Sequence, residues 1–362
     1  MTSRSSSGGP KRHDDVDGGN LRRIKQRKPG LPRPSGQRLV QETPDCISIV
    51  FEVPAHLQAL FAYRAGQFVT LRTQVNGQSE LRSYSMSSAP QIDADLQVTV
   101  KRVEGGLVSN WLNDHVRAGD RIDVSAPTGS FVLPDDGTSR DVLAFAAGSG
   151  ITPILSIVKD ALAASDRRVR LFYASSDRSS VIFHESLQLL ESKYAERLHV
   201  THSLDEDSGC PDAGRVAEFL GSGLNSEFYV CGPKGFMDMV TTTLVWCGIR
   251  DHQLHRELFT PDDDVVDRAS EGAQVTVTLG ERTATISFRA GWTLVQAARA
   301  AGLKAPSSCH LGQCGTCMAR VTVGKAEMTN NQVLTETEVA EGWVLTCQAR
   351  PVTPTISVVY ET

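Results

Sequence analysis

Four cysteines toward the end of the sequence constrain the fold of this chain more than any other feature. Cys309, Cys314 and Cys317 share the run C-H-L-G-Q-C-G-T-C, and Cys347 follows in L-T-C-Q-A-R. A C-x4-C-x2-C spacing with a distant fourth cysteine is the pattern by which four thiolates hold a [2Fe–2S] cluster. Because soft thiolates suit iron and sulfide, the pattern predicts a metal cluster at these four residues. Gly312 and Gly315 are expected to permit the tight backbone that aims N–H groups at the sulfurs.

Two other uses of these cysteines remain open from the spacing alone. Structural zinc usually binds two close cysteine pairs, whereas Cys347 stands alone here. A disulfide would need an oxidising compartment, and the sequence shows no export signal. We therefore expect reduced cysteines and a cytoplasmic location, and we interpret Cys46, Cys210, Cys231 and Cys247 as small apolar residues.

Length and charge divide the chain into a tail and a folded body. A chain of 362 residues is expected to form two or three domains. Residues 1–36 hold nine Lys or Arg and three Asp, so a basic tail precedes an acidic body in a chain of net charge −5. The tail is rich in Ser, Gly and Pro and cannot bury enough apolar surface to offset its ordering entropy, which predicts disorder.

The same charge pattern limits the partners. The acidic body and the lack of a recognition motif argue against nucleic acid. The sequence contains no run of 18 apolar residues, so no membrane span is predicted. Contact with a membrane is expected only through the basic tail or through a membrane-bound client.

Residues 37–137 read as a small antiparallel β-barrel. Short β-branched runs such as C-I-S-I-V-F-E-V, G-Q-F-V-T-L-R-T and D-L-Q-V-T-V-K-R-V alternate with turn residues. One helix is predicted at S-N-W-L-N-D-H-V, with Ser109 as its N-cap.

Residues 138–261 change to alternating strands and helices. The run D-V-L-A-F-A-A is continuously apolar, as expected for a strand that is buried on both faces. The strand–helix alternation that follows, including a helix at V-I-F-H-E-S-L-Q-L-L, predicts a parallel sheet with helices on both faces.

Two glycine turns in this block suggest a nucleotide site. The first strand runs into G-S-G-I-T-P, where Gly148 and Gly150 permit a sharp turn toward a phosphate. Thr152 is expected to cap the helix that follows, and Pro153 fits its first turn. The later run C-G-P at Cys231 repeats this arrangement. Two such turns at the carboxyl ends of one parallel sheet form a crevice. The alternatives are a plain connecting turn and, for Cys231, ordinary core packing.

An acidic stretch without periodicity, residues 262–272, is predicted to be a linker. Residues 273–362 then combine the strand runs Q-V-T-V-T-L and T-A-T-I-S-F, the helix L-V-Q-A-A-R-A-A-G and the cysteine loop. We expect these residues to form a third domain that carries the cluster.

The run L-R-S-Y-S in the first block suggests a flavin site. Arg82 and Tyr84 share one face of a strand, and a guanidinium for phosphate beside an aromatic ring for stacking suits a flavin nucleotide. Gly106 to Ser109, in G-G-L-V-S, could bind an anion through backbone N–H groups. The alternative is an exposed strand of an ordinary barrel.

These motifs together resemble the ferredoxin–NADP reductase superfamily, with a plant-type ferredoxin domain after it. The motifs R-S-Y-S, G-G-L-V-S, G-S-G-I-T-P and C-G-P occur in the family's order before L-T-C-Q-A-R-P. The chain is similar to reductase components of multicomponent oxygenases, of the 3-ketosteroid 9α-hydroxylase and phenylacetyl-CoA epoxidase types. The resemblance implies a multidomain α/β and β fold: an FAD-binding antiparallel β-barrel, a parallel α/β NAD(P)-binding domain and a β-grasp ferredoxin domain.

The resemblance also implies roles for individual residues. Tyr84, Ser85 and Glu257 are the expected catalytic residues: Tyr84 stacks on the isoalloxazine, Ser85 approaches its reactive nitrogen and Glu257 lies in the segment that returns to the flavin. The expected cofactor-binding residues are Arg82, Ser83, Tyr84, Ser85, Val100, Lys101, Gly106, Leu107, Val108, Ser109, Gly148, Ser149, Gly150, Ile151, Thr152, Pro153, Cys231, Gly232, Pro233 and Phe259.

The implied function is electron transfer from NADH or NADPH through FAD and the cluster to a terminal oxygenase, hydroxylase or desaturase component. A Rieske oxygenase of the steroid-hydroxylase type is the favoured client, and a di-iron oxygenase or a membrane-bound fatty-acyl desaturase is the alternative. A non-enzymatic, redox-responsive binding protein is a further alternative. The choice between NADH and NADPH stays open, because Ser175-Ser176 stand where relatives often carry an Asn-Arg pair. We expect a monomer.

Overall fold

The computed structural model describes residues 35–134, 140–259 and 272–361. The predicted disordered tail lies outside the described residues apart from its last two positions, Ser35 and Gly36, which begin the first strand. The predicted linker lies outside them except for Gly272. In the described part of the chain, no helix is both long enough and apolar enough to cross a bilayer.

The first domain consists of two antiparallel three-stranded sheets, ordered β1-β2-β5 and β4-β3-β6. Both sheets contribute to one apolar core, for example through Phe51 and Val98 on one side and Val69 and Leu71 on the other. This is the predicted small β-barrel. Its strands are β1 (Ser35–Thr43), β2 (Cys46–Glu52), β3 (Phe68–Val75), β4 (Gln78–Ser85), β5 (Leu96–Lys101) and β6 (Asp123–Val124).

The helix of this domain, α1 (Leu107–His115), begins earlier than predicted. Gly106 is the N-cap, so the expectation that Ser109 caps the helix is wrong. The Ser109 hydroxyl instead accepts a hydrogen bond from the Val103 N–H at 3.2 Å, because the chain folds back over the first helical turn. The N-terminal N–H groups of α1 therefore have no side-chain cap.

The second domain is a parallel five-stranded sheet with the order β11-β10-β7-β8-β9. Apolar cores lie on both faces of the sheet, as the continuous apolar strand predicted. The strands are β7 (Val142–Ala147), β8 (Val169–Ser175), β9 (Leu198–Leu204), β10 (Glu227–Cys231) and β11 (Leu254–Glu257). The helices are α2 (Ile151–Ala164), α3 (His184–Lys193), α4 (Asp205–Ser208), α5 (Ala213–Leu220) and α6 (Lys234–Trp246).

Two helix starts differ from the sequence prediction. Gly150 is the N-cap of α2, so Thr152 lies inside the first turn and its hydroxyl donates to the Ser149 carbonyl at 3.0 Å. Helix α3 begins at His184 rather than at Val181, because Phe183 adopts a left-handed φ of 63°. Val181 to Phe183 are buried in the core beneath the sheet instead of forming a helical turn.

The third domain is a mixed sheet, ordered β13-β12-β18-β14-β16, packed against α7. Strands β12 and β18 are parallel, and the remaining pairs are antiparallel. This agrees with the expected β-grasp arrangement. The elements are β12 (Gln274–Leu279), β13 (Arg282–Ser287), α7 (Leu294–Ala300), β14 (Met318–Val323), β15 (Ala326–Met328), α8 (Glu336–Ala340), β16 (Trp343–Leu345), β17 (Ala349–Pro351) and β18 (Thr355–Tyr360).

Candidate active site and metal centre

The four predicted cluster cysteines meet as two pairs. Cys309 contacts Cys314, and Cys317 contacts Cys347, in each case by a hydrogen bond between the two sulfurs. This hydrogen bond raises the pKa of Cys309 and lowers the pKa of Cys314. All four are free thiols, so the disulfide alternative is not supported.

Two pairs are the arrangement that a two-iron cluster needs. A [2Fe–2S] cluster takes four cysteines, two on each iron. In the described part of the chain, no three His, Cys, Asp or Glu side chains gather around one point as a single metal ion would require. The two pairs of thiols fit the donor set of a [2Fe–2S] cluster.

The backbone of the cysteine loop has the tight conformation that its glycines predict. Gly312 and Gly315 have φ values of 73° and 69°, in the left-handed region that favours glycine. A Cβ on Gly312 would lie 2.5 Å from the Asn330 carbonyl oxygen. The Leu311 N–H points at the Cys309 sulfur at 3.4 Å, which is the kind of donor that stabilises negative charge on a cluster.

The two glycine turns of the second domain lie side by side. Strands β7 and β10 are neighbours in the sheet, yet β8 continues the chain on the other side of β7, so the strand order reverses between them. Ligands of open parallel sheets bind at such a reversal, outside the carboxyl ends of the strands. A Cβ on Gly150 would lie 2.2 Å from the Cys231 carbonyl oxygen, which shows how closely the turns approach.

The helices that leave these turns have no side-chain caps, either at α2, after Gly150, or at α6, after Pro233. The Ile151 N–H at the start of α2 already bonds to the Gly148 and Ser149 carbonyls. The positive end of each helix dipole nevertheless suits phosphate oxygens. Helix α1, after Gly106, offers the barrel domain the same device. These residues fit the phosphates of two nucleotides, one in each domain.

Strand β4 places the expected flavin residues in different surroundings. Arg82 is exposed, and its Nη1 lies 3.2 Å from Glu80 Oε2. Tyr84 is largely enclosed by the barrel core, and this burial raises its pKa. Val100 has no exposed side-chain surface, so only its backbone could face a cofactor, and Lys101 forms an ion pair with Asp45 at 3.6 Å.

Glu257 is a buried carboxyl at the end of β11. It is 4% exposed, and Ser85 donates a hydrogen bond to its Oε2 at 3.2 Å. Burial raises the pKa of Glu257 to about 8, although the Ser85 hydroxyl opposes the shift. The side chain is therefore protonated at neutral pH. Burial, followed by the nearby Glu257, also raises the pKa of Cys231, which makes Cys231 a neutral thiol.

A cavity of about 90 Å³ joins parts of all three domains. It collects five of the predicted cofactor and catalytic residues together with one predicted cluster ligand. Its lining comprises Phe68, Arg82, Ser83, Ser85, Glu257, Leu258, Phe259, Ser308, Cys309, Leu311 and Gln313. The predicted flavin strand, the returning segment and the cysteine loop therefore meet at one point.

Sequence reasoning missed several residues of this cavity. Phe68, Leu258, Ser308, Leu311 and Gln313 line it, yet none carries a recognisable motif of its own. Ser308 could have been flagged only because it precedes Cys309. The lining of the cavity does not include the two glycine turns.

Comparison with known proteins gives these sites a context. Residues 38–133 match an oxidoreductase FAD-binding domain, residues 145–242 an oxidoreductase NAD-binding domain and residues 277–352 a 2Fe-2S iron-sulfur cluster binding domain. The chain is thus an oxidoreductase that uses NAD(P)H, FAD and a [2Fe–2S] cluster, which confirms the predicted cofactors.

The relatives identify the family. The ferredoxin reductase component of 3-ketosteroid-9-alpha-monooxygenase from Rhodococcus rhodochrous is 40% identical over 87% of this chain and 93% of its own length. A 1,2-phenylacetyl-CoA epoxidase component from Escherichia coli is 33% identical over 90% of this chain and 96% of its own length. The chain belongs to this family of iron–sulfur flavoprotein reductases.

Solved structures confirm the fold class. Phthalate dioxygenase reductase aligns with a TM-score of 0.59 at 24% identity and covers 91% of this chain and 98% of that one. An intact type IV self-sufficient cytochrome P450 monooxygenase aligns with a TM-score of 0.64 at 23% identity, over 95% of this chain and 44% of that one.

The close approach of the two glycine turns can be tested by adding a methyl group. We expect Gly150→Ala to destabilise the protein by about 1–3 kcal/mol, the usual range for overpacking, and to raise the KM for NADH. Thermal unfolding and steady-state reduction of ferricyanide measure the two effects. The control is Gly235→Ala on α6, where a Cβ meets nothing within 4 Å and stability should rise by up to about 1 kcal/mol. Equal behaviour of the two variants would contradict the packing described here.

The buried carboxyl predicts a pH dependence of stability. Glu257 has a pKa of about 8 in the folded protein, against a usual value of 4.5. Between these pH values the folded protein keeps the carboxyl proton and the unfolded chain has lost it. The free energy of unfolding therefore falls as the pH rises from 4.5 to about 8. Glu257→Gln should remove this loss, which reaches several kcal/mol at about 1.4 kcal/mol per pKa unit. Thermal unfolding of both proteins across this interval measures it. Ser85→Ala removes the hydroxyl donor that lowers the pKa of Glu257, so the stability of this variant should go on declining to a higher pH. Parallel curves for the wild type and Glu257→Gln would rule out the shift.

Proposed function

We propose that this protein is the reductase component of a multicomponent oxygenase and delivers electrons from NAD(P)H to a separate terminal oxygenase. The observation that carries the proposal is the cavity where Ser85, Glu257 and Phe259 face Cys309. A flavin held by the first set of residues would lie beside a ligand of the cluster. When bound, FAD accepts a hydride and releases electrons singly, which matches the one-electron capacity of a [2Fe–2S] cluster.

The protein's own residues bind and orient these groups. The uncapped N-terminus of α1 and the Arg82 guanidinium suit the FAD pyrophosphate. Tyr84 offers an aromatic face, and Ser85 with protonated Glu257 supplies neutral hydrogen-bonding groups at the reacting end. An ionised Glu257 carboxylate would be a buried charge without a partner once the nicotinamide and flavin rings exclude water. The neutral form avoids this cost and so favours the approach of the two rings.

The relatives' names support one choice of client over the others. The relatives of the 3-ketosteroid-9-alpha-monooxygenase type are 38–40% identical to this chain, against 33% for the epoxidase component and 30–32% for the reductase components of glycine betaine monooxygenase. We therefore favour a Rieske oxygenase that hydroxylates a steroid. A di-iron oxygenase or a desaturase is the second candidate.

Location and assembly complete the proposal. The eight unbridged cysteines support a reducing, cytoplasmic location. A monomer is proposed as the working form, and size-exclusion chromatography with light scattering tests it.

The electron path is tested by anaerobic titration with NADH. We expect both the flavin and the cluster absorbance to bleach in the wild type. Cys347→Ser should abolish the cluster signal and electron delivery to an oxygenase while ferricyanide reduction persists, because this buried ligand serves the cluster alone. The control is Cys247→Ser, outside the cysteine loop, which should behave as the wild type. A flavin that bleaches while the wild-type cluster stays oxidised would refute the path.

The client is tested by reconstitution. The reduced protein should support turnover by the oxygenase of a 3-ketosteroid 9α-monooxygenase faster than turnover by that of a phenylacetyl-CoA epoxidase. The measured quantity is product formed per NADH oxidised. The reverse order would overturn the steroid assignment and leave the reductase assignment intact.

A further inference from the structure

Three hydroxyl groups form a closed ring between the barrel and the cysteine loop. Ser308 Oγ lies 2.9 Å from Ser83 Oγ and 3.3 Å from Thr70 Oγ1, and these last two are 3.1 Å apart. Ser83 and Thr70 are directly paired on β4 and β3. Ser308 precedes the cluster ligand Cys309, and Ser83 stands between Arg82 and Tyr84. The ring therefore joins the predicted flavin strand to the cluster loop.

A ring of three hydroxyls can satisfy its own hydrogen bonds without any further partner. Each hydroxyl donates one hydrogen bond and accepts another, so all three are satisfied without charge. Thr70 is 3% and Ser308 5% exposed, so water has little access to replace a missing member. Loss of one hydroxyl leaves the other two bonded to each other, but one of them then lacks an acceptor for its O–H and the other lacks a donor, which disfavours the docked arrangement.

Other contacts across this boundary are weaker anchors. Lys304 Nζ donates to Gln78 Oε1 at 2.6 Å, and Ser130 Oγ donates to Gln332 Oε1 at 2.7 Å. Both of these hydrogen bonds are exposed, so water can substitute for either partner. In the hydroxyl ring, Thr70 and Ser308 are buried and Ser83 is partly buried. The ring adjoins the cavity, where Ser83, Ser308 and Cys309 are all part of the lining.

We propose that Thr70, Ser83 and Ser308 act as positioning residues that hold Cys309 against the flavin end of the cavity and so set the rate of electron transfer to the cluster. The inference rests on the proposed function. Electron tunnelling slows steeply with distance, so a contact that fixes the cluster loop controls this step and not the hydride step. The positioning contact leaves the stoichiometry of the reaction unchanged. Each NADH that is oxidised yields NAD+, one proton released to water and two electrons that leave one at a time through the cluster.

Thr70 allows a sharp test because it lies outside the cavity lining. Thr70→Val keeps the shape of the side chain and removes the hydroxyl, whereas Thr70→Ser keeps the hydroxyl and removes the methyl group. Ser308→Ala removes the member that belongs to the cysteine loop. Gln78→Ala is the matched control, since it breaks an exposed contact across the same boundary.

Anaerobic stopped-flow mixing of the holoenzyme with NADH separates flavin bleaching from cluster reduction. In Thr70→Val, we expect flavin bleaching within twofold of the wild type and cluster reduction slower by about tenfold or more, as small misplacements of reacting groups produce. Ser308→Ala should slow cluster reduction by a similar factor. Thr70→Ser and Gln78→Ala should match the wild type. The midpoint potentials of the flavin and the cluster should be unchanged in all variants, so that altered driving force is excluded.

A second measurement does not depend on turnover. Hydrogen exchange of the backbone amides from Ser308 to Leu311 should be faster in Thr70→Val and unchanged in Thr70→Ser. Equal cluster-reduction rates in Thr70→Val and Thr70→Ser would overturn the positioning role, and so would an equally large loss in flavin bleaching. A wild-type cluster that NADH never reduces would instead refute the proposed function itself.

Discussion

The apolar junction between the barrel and the parallel sheet is the constraint on which the rest of the structure depends. Cys46 and Phe131 belong to the barrel, yet they are buried in the core of the sheet domain. Phe131 packs edge-to-face on Tyr229 with ring centroids 5.2 Å apart, and the Tyr229 hydroxyl donates to the Val132 carbonyl at 3.0 Å. Two domains that share a core cannot move apart without exposing apolar surface to water.

This fixed junction makes the buried hydrogen bond between Ser85 and Glu257 possible. Ser85 ends β4 in the barrel, and Glu257 ends β11 at the edge of the parallel sheet. Side chains so distant in sequence remain 3.2 Å apart only because the domains that carry them are rigidly joined. The raised pKa of Glu257 has the same origin, since the shared packing removes water from the carboxyl. The cluster domain meets this assembly through hydroxyl and amide groups. The position of the cluster domain therefore depends on directional hydrogen bonds more than on buried apolar area.

Local patterns in the sequence predicted the parts of the structure that arise locally. The apolar run before Gly148 is a strand buried on both faces, and Gly312 and Gly315 have the positive φ values that their loop demanded. The errors fall at helix starts, where Ser109 and Thr152 were expected to cap. There a glycine occupies the N-cap position, so the preferred capping residue lies inside the helix. Cap preference is a weak signal when tertiary contacts compete with it.

The residues that the sequence could not reveal are those whose role exists only between domains. Ser308 has no motif, and its hydroxyl gains a partner only when β3 and β4 come alongside the cysteine loop. The pairing of the cysteines is similar, because the spacing gives four ligands but not which two share an iron. Contacts between sulfurs resolve this: the two cysteines separated by four residues form one pair, and the third joins the distant Cys347. The first pair includes Cys309, the cluster ligand that lines the cavity. The pair that contains Cys309 therefore lies beside the cavity, whereas Cys317 and Cys347 are the two more deeply buried cysteines, and each pair would hold one iron of a bound cluster.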